Sequence, residues 1–325
     1  MRKFAFAAAA AICFTAGAAA AQETQVLDVS LALGPDSHHA IGALKFGEEL
    51  DRLSGGRLTI RPHYDNALGG EREVVEGIGF GLIDMGVTST GPMGGFVDDF
   101  MLFDLPYVFT SVEQAYGFLD GPYGDGLVQK LEEQAGVKIL GWMENGFRHN
   151  TNNVRTLNTP DDLEGIRHRT QESRVQVDTW SALGANASPM AWTEVFTALQ
   201  QGVMDSQENP IATIYDVKFY EVQKYLNLTG HVYSPAPFMM GAQLFNSLSE
   251  EDQAIVLEAA KIAVPVQREA SQRMEQELIT KLEEQGMVVT QPDIALFQQR
   301  VQPVIEQWKE TVGVELVDAA INFQP

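Results

Sequence analysis

The chain has 325 residues but only one cysteine, Cys13. Beyond that position, disulfide staples, thiolate nucleophiles and cysteine-based metal sites are excluded, so the fold must rest on an ordinary apolar core. Basic residues are also scarce. Lys and Arg number 22 against 44 Asp and Glu, for a formal net charge of −22. Such a surface disfavours nucleic acid and anionic membrane, and it repels anionic ligands at long range. An anion site in this chain must therefore be locally basic, with its arginines concentrated inside a cleft. Long apolar runs are missing too. After the first 21 residues no stretch approaches the roughly 20 apolar residues that span a bilayer. Catalytic signatures are equally thin: there is no His-Glu-x-x-His, no Gly-x-Ser-x-Gly and no Walker loop. Gly77-x-Gly79-x-Gly81 has nucleotide-loop spacing, yet it falls at the end of a helical stretch instead of between strand and helix. His38-His39 could ligate a metal, but adjacent histidines in an exposed turn or helix start read as solvated. Acid pairs such as Glu71 and Glu73 read as surface charge. No metal, cofactor or enzymatic activity is expected.

The N-terminus reads as a secretory signal peptide over residues 1–21. Arg2 and Lys3 form a charged start, Phe4 to Phe14 an apolar run, and Ala19-Ala20-Ala21 a small-residue cleavage site. Cys13 lies inside the apolar run without a small residue before it, unlike a lipidation site. Removing Arg2 and Lys3 takes the formal charge from −22 to −24. The remaining chain is long enough for two domains.

Val26 to Leu33 alternates apolar and polar residues and predicts a strand. Ile41, Leu44, Leu50 and Leu53 mark a helical face, and Arg57 to His63 predicts a second strand. This β-α-β opening implies a parallel sheet with crossover helices. Leu82 to Val87 predicts a third strand, with Thr88 and Ser89 in the loop at its C-terminal end, where open α/β folds bind ligands. Val137 to Glu144 predicts a strand, Ser249 to Gln285 a long helix bent or divided at Pro265, and Asp293 to Thr311 a final helix.

The stretch around which the chain is organised runs from residue 145 to 210. Ile166-Arg167-His168-Arg169-Thr170 predicts a short strand between helices, with Arg167 and Arg169 on one face. A strand on a rigid core can hold a guanidinium fork in the orientation that bidentate carboxylate recognition needs. Pairing of Arg169 with one of the chain's own carboxylates is an equally open reading. Arg148 is a second candidate arginine. Trp192 and Phe238 could each wall a ligand or fill a core.

The blocks Leu68 to Glu73, Asp104 to Tyr107, Leu183 to Met190 and Thr197 to Pro210 resemble the solute-binding subunit of tripartite ATP-independent periplasmic (TRAP) transporters. The resemblance covers nearly the whole mature chain. It implies an α/β flytrap of two lobes with a long helix spanning both. The lobes would be residues 22–145 plus 235–274, and residues 146–234 plus 275–325. It implies that Arg169 grips a ligand carboxylate, that Asn209 backs it, and that Arg148 is a second acid-binding arginine. Trp192 would be the aromatic wall, and Thr88 and Ser89 the contacts from the first lobe. The position of Ser89 is acidic in sialic-acid members, which argues against that ligand. Trp192 and Phe238 also match aromatic positions of ectoine-binding members, but those lack an arginine at Arg148. Two arginines therefore point to a sugar acid, hydroxy acid or dicarboxylate. The expected protein is a monomeric periplasmic receptor that serves TRAP permease subunits and touches the inner-membrane transporter only peripherally. A receptor feeding a sensor protein, a zwitterion receptor and a periplasmic enzyme are the alternatives.

Overall fold

The computed structural model describes residues 24–325, so the expected signal peptide and Cys13 lie outside the described residues. The chain opens with β1 (Gln25–Leu31), α1 (His38–Ser54), β2 (Leu58–His63), α2 (Glu71–Gly79) and β3 (Met85–Val87). Two 3₁₀ turns, α3 (Val112–Leu119) and α4 (Pro122–Ala135) lead into the long strand β4 (Val137–Asn152). Next come β5 (Arg167–Thr170), α5 (Arg174–Ala182), β6 (Asn186–Pro189), α6 (Val195–Gln200), β7 (Ser206–Pro210) and α7 (Ile211–Asp216). A second long strand, β8 (Tyr225–Gly241), precedes α8 (Ala242–Ser247) and α9 (Glu250–Glu284). The chain ends with β9 (Val288–Thr290), α10 (Ile294–Val312) and α11 (Val314–Asn322).

Local chemistry sets these boundaries. Ser37 caps α1 by accepting the Ala40 N–H, and Gly55 ends it at φ +63°, a conformation costly for any residue with a Cβ. Ser249 caps α9 in the same way, and Glu250, Glu251 and Asp252 place negative charge at its positive end. β1 pairs in parallel with both β2 and β3, as the alternating β-α-β pattern requires.

The strands form one mixed sheet in the order β2-β1-β3-β8-β4-β7-β5-β6, with β9 beside β8. β4 and β8 pair antiparallel over most of their length, with register shifts along the way. At one end β8 pairs with β3; at the other it pairs with β9, and β4 pairs with β7. These two strands are therefore shared by two lobes. Lobe I is built on β1–β3 and lobe II on β5–β7.

Each lobe has apolar cores. In lobe I, Leu27, Val29, Phe46 and Phe238 pack in one cluster, and Phe100, Phe103, Phe118 and Trp142 in another. In lobe II, Ile211, Phe219 and Leu226 form one cluster, and Trp180, Ile166 and Phe297 a second. Helix α9 joins the lobes. Its Val256, Ala259 and Ala263 pack in lobe I, and its Leu278 and Leu282 in lobe II. Pro265 lies inside α9 without ending it. Just beyond it, Gln267 clamps β4: its Oε1 accepts the Glu144 N–H and its Nε2 donates to the Glu144 carbonyl, both at 2.7 Å. Gly42 of α1 permits this approach, because a Cβ there would stand 2.7 Å from the Gln267 side chain.

Three differences from the sequence expectations are physical. β4 continues beyond Glu144 to Asn152, and β8 was not expected as a strand at all. Their middles are buried on both faces among polar groups, so neither shows the alternation of a half-buried strand. The C-terminal segment assigned to lobe II returns to lobe I. Val317 and Ala320 of α11 join the core of Phe118, and Gln114 Nε2 donates to the Ala320 carbonyl at 2.8 Å. The division expected between residues 145 and 146 falls within β4, since the connection is a continuous strand.

Candidate functional site

The lobes touch across the cleft between them. Trp192 Nε1 donates to the Ala32 carbonyl at 3.3 Å, and the Gly34 N–H to Asp216 Oδ2 at 3.2 Å. Gln171 Nε2 donates to Ser89 Oγ at 2.6 Å, and Gln176 Nε2 to Asp104 Oδ1 at 2.7 Å. Each bond has one partner on either lobe. Among them lies a narrow cavity of about 20 Å³, room for about one water molecule. Lobe I lines it with His39, Glu71 and Ser89, and lobe II with Gln171, Trp192 and Asn209. Asn145, on the crossing strand β4, and Thr213 complete its polar wall.

Arg169 is buried on β5, flanked by β6 and β7. Its Nε and Nη2 both donate to the Met190 carbonyl, at 3.0 and 2.8 Å. That carbonyl orients the guanidinium and occupies two of its five N–H donors. Nη1 is buried and has no protein partner. Among the described residues Arg169 makes no ion pair, although Trp192 lies near it, with Cζ 5.9 Å from the ring centroid. Burial is the main cause that lowers its pKa to about 10, with Arg148 adding to the effect and Glu208 and Glu71 opposing it. The group thus remains charged at neutral pH. A rigid, buried cation with an unused edge is suited to one ligand carboxylate.

The other residues singled out in the sequence fall in different places. Trp192, Asn209 and Ser89 line the void. Asn209 Nδ2 is held by Gln207 Oε1 at 2.6 Å. Ser89 donates its N–H to Glu71 Oε1 at 2.7 Å while its hydroxyl accepts from Gln171. Thr88 is buried beside the void, and its hydroxyl donates to the Ser89 carbonyl at 3.1 Å. Arg167, on the same face of the strand pattern as Arg169, is exposed and forms a forked pair with Asp205.

Arg148 and Phe238 sit in surroundings that differ from those of the other expected binding residues. Arg148 is buried and consumed by Glu208: Nε meets Oε2 at 2.5 Å and Nη2 meets Oε1 at 2.8 Å. Its charge is balanced from within the chain, although its Nη1, like that of Arg169, is buried without a protein partner. Phe238 is fully buried in lobe I, edge-on to Phe46 at 4.8 Å, because β8 turns its ring away from the cleft into the core under α1. It is a packing residue.

The sequence reading also missed several lining groups. His38 and His39 are not a solvated turn: they are buried at the start of α1, and His39 faces the void. Glu71, taken as surface charge, is a wall of the cavity. Gln171 follows Arg169 by two residues, so carrying the strand alternation one step further would have found it.

An α/β protein whose two lobes meet around a narrow polar cavity, with a buried arginine that makes no ion pair near its Trp192 wall, belongs to the class of two-lobed solute-binding proteins. More specifically, the chain belongs to family 7 of the bacterial extracellular solute-binding proteins, the DctP family, which it matches over residues 29–311. These are TRAP solute-binding proteins of the periplasm, receptors and not enzymes. The chain is 35% identical over 290 residues to the 2,3-diketo-L-gulonate-binding periplasmic protein YiaO of Escherichia coli strain K12, covering 87% of this chain and 88% of that protein. Its fold is similar to a TRAP periplasmic solute-binding protein from Polaromonas sp. JS666 bound to D-erythronate. The TM-score is 0.90 and the identity 38%, covering 93% of this chain and 100% of that one. It is also similar to the sugar acid-binding protein DctPAm of Advenella mimigardefordensis strain DPN7T in complex with galactonate. There the TM-score is 0.90 and the identity 32%, over 92% and 97% of the two chains. Among the described residues no helix is long and apolar enough to cross a membrane.

Proposed function

We propose that this chain is an exported periplasmic receptor that captures one small hydroxy monocarboxylate between its lobes and delivers it to a TRAP permease. The carrying observation is Arg169: buried, oriented by the Met190 carbonyl, free of any chain carboxylate, and left with an unpartnered Nη1. The ligand carboxylate takes the unused guanidinium edge, Asn209 supports it and Trp192 covers it. Ser89, with Thr88 behind it, supplies the contact from lobe I. The charge count favours a single carboxylate. Arg148 is cancelled by Glu208, and Glu71 would repel a second anionic group in the void. The similarity to receptors solved with erythronate and galactonate supports the same ligand class. Because the ligand would touch both lobes, its binding free energy favours the closed arrangement, the form a permease would recognise.

Calorimetry with D-erythronate, D-galactonate, succinate and ectoine tests this reading. The hydroxy monoacids are expected to bind most tightly. Preference for succinate or for ectoine, or unchanged acid binding by Arg169→Ala, would refute it. Reconstitution with the permease subunits tests delivery, and the absence of ligand-dependent uptake would leave the protein as a receptor for some other partner, such as a sensor.

A further inference from the structure

His38 and His39 stand at the first turn of α1, with ring centroids 4.3 Å apart and planes tilted by 56°. Both side chains are almost wholly buried; neither ring nitrogen of His39 has a protein partner, whereas His38 lies against Asn145. Buried polar groups in native proteins are nearly always hydrogen-bonded, so such a cluster calls for a cause. Of the two residues, His39 lines the cavity between the lobes. The neighbouring lining groups are otherwise engaged: Ser89 with Gln171 and Glu71, Asn209 with Gln207, and Asn145 with Ser234. His39 is thus the wall group whose hydrogen-bonding capacity is wholly unspent.

We propose that His39 is a specificity-determining residue that hydrogen-bonds a hydroxyl group of the bound acid. The inference rests on the acid-receptor reading and extends it from the carboxylate to the rest of the ligand. A neutral imidazole presents one N–H donor and one nitrogen acceptor. A hydroxyl is also both donor and acceptor, so it can use either nitrogen. A carboxylate can only accept, and an alkyl carbon can do neither. Burial, with His38 alongside, keeps His39 in the neutral form on which this matching depends. Arg169 therefore reads charge, while His39 reads the hydroxyl. An acid of equal size and charge without that hydroxyl would leave the imidazole buried and unpaired. Sites built to bond a hydroxyl discriminate strongly against ligands that lack it.

The test uses D-erythronate and its 2-, 3- and 4-deoxy analogues, titrated calorimetrically into the full mature protein and into His39→Phe and His39→Asn. Wild type should prefer erythronate over one of the deoxy acids by roughly 30-fold or more. His39→Phe should abolish that preference without weakening the same deoxy acid, and His39→Asn, which keeps a donor and an acceptor, should restore part of it. Equal weakening of every ligand, or no change in selectivity, overturns the proposal while leaving the receptor reading in place. Wild type that binds no acid overturns both. Nitrogen NMR of histidine-labelled wild type avoids any folding defect of the variants. The His39 ring signals should move with erythronate and not with the deoxy acid missing the critical hydroxyl. Unmoved signals on saturation likewise overturn the proposal.

Discussion

Arg148 and Glu208 face each other across paired strands β4 and β7 as a buried, two-pronged ion pair, with contacts of 2.5 and 2.8 Å. The arginine also donates from Nη2 to the Glu208 carbonyl at 2.8 Å, and His231 Nε2 lies 3.1 Å from Glu208 Oε2. Arg148 and His231 overcome the opposing effect of burial and hold the Glu208 carboxyl well below its ordinary range. Removing one member leaves the other charge buried and alone. Glu208→Gln is expected to destabilise the fold by about 3–5 kcal/mol. Arg148→Met combined with Glu208→Leu should be considerably milder than that single change. Urea unfolding of the three variants measures the difference, and a double variant worse than Glu208→Gln would sink the idea.

Arg169, unlike Arg148, has no carboxylate partner among the described residues, and its Nη1 is buried without a partner. Arg169→Ala is expected to weaken acid binding by roughly 2–5 kcal/mol. That corresponds to about 30-fold to several thousand-fold in Kd. Arg169→Lys should recover little, because an ammonium cannot match the planar fork held by the Met190 carbonyl. Titration of both variants with the preferred acid checks this.

Phe238, whose sequence setting favours core packing, and Trp192 should separate cleanly. Phe238→Ala empties a space beside Phe46 in a closed core and is expected to cost about 3–5 kcal/mol of stability. Trp192→Ala removes a cleft wall and its bond to the Ala32 carbonyl, so its main effect should be on ligand affinity. Unfolding curves and binding isotherms measured on both variants decide whether the two effects divide this way.

Closure should be open to obstruction at Gly91. A Cβ at that position would stand 2.6–2.9 Å from the Gln171 side chain, which is tied to Ser89 and Gln176. Gly91→Val is expected to hold the lobes apart and lower acid affinity about 10-fold or more, with little loss of stability. Small-angle scattering with saturating acid should show a larger radius of gyration than wild type. An unchanged radius and affinity would mean that the contact yields easily.

Stability should fall in mild acid. His38 is lowered to about 4 and His168 to about 3, mainly by burial, and burial also lowers His39 and His231. The unfolded chain gains protons below pH 6.5 that these folded imidazoles refuse, so stability is lost as pH drops from 6.5 toward their folded values. Asp104 acts in the other direction. Burial raises its carboxyl to about 7, so its contribution is fully present below 3.8 and is lost as pH rises toward 7. Four histidines outweigh one aspartate, and the net change is a loss below pH 6.5. Asp104→Asn should make the acid loss steeper while relatively favouring the fold at pH 7 and above. Denaturant midpoints from pH 4 to 8 test both signs.

The parts of this protein that could be read along the chain depend on neighbours in sequence. Alternation in β1, the Ser37 and Ser249 caps, the apolar face of α1 and the run of α9 through Pro265 are all local effects. So is the placement of Arg169 on a short strand, because strand alternation is a property of consecutive residues. The acidic composition likewise required that any anion site be enclosed. Tertiary structure alone paired Arg148 with Glu208, since the two are 60 residues apart and meet only when β4 lies beside β7. It also turned Phe238 into the core and brought His39 and Glu71 from lobe I to the cavity that lobe II completes. Whether a charge is spent or available depends on what stands within a few ångströms of it, and that neighbourhood is assembled by strand pairing and lobe contact.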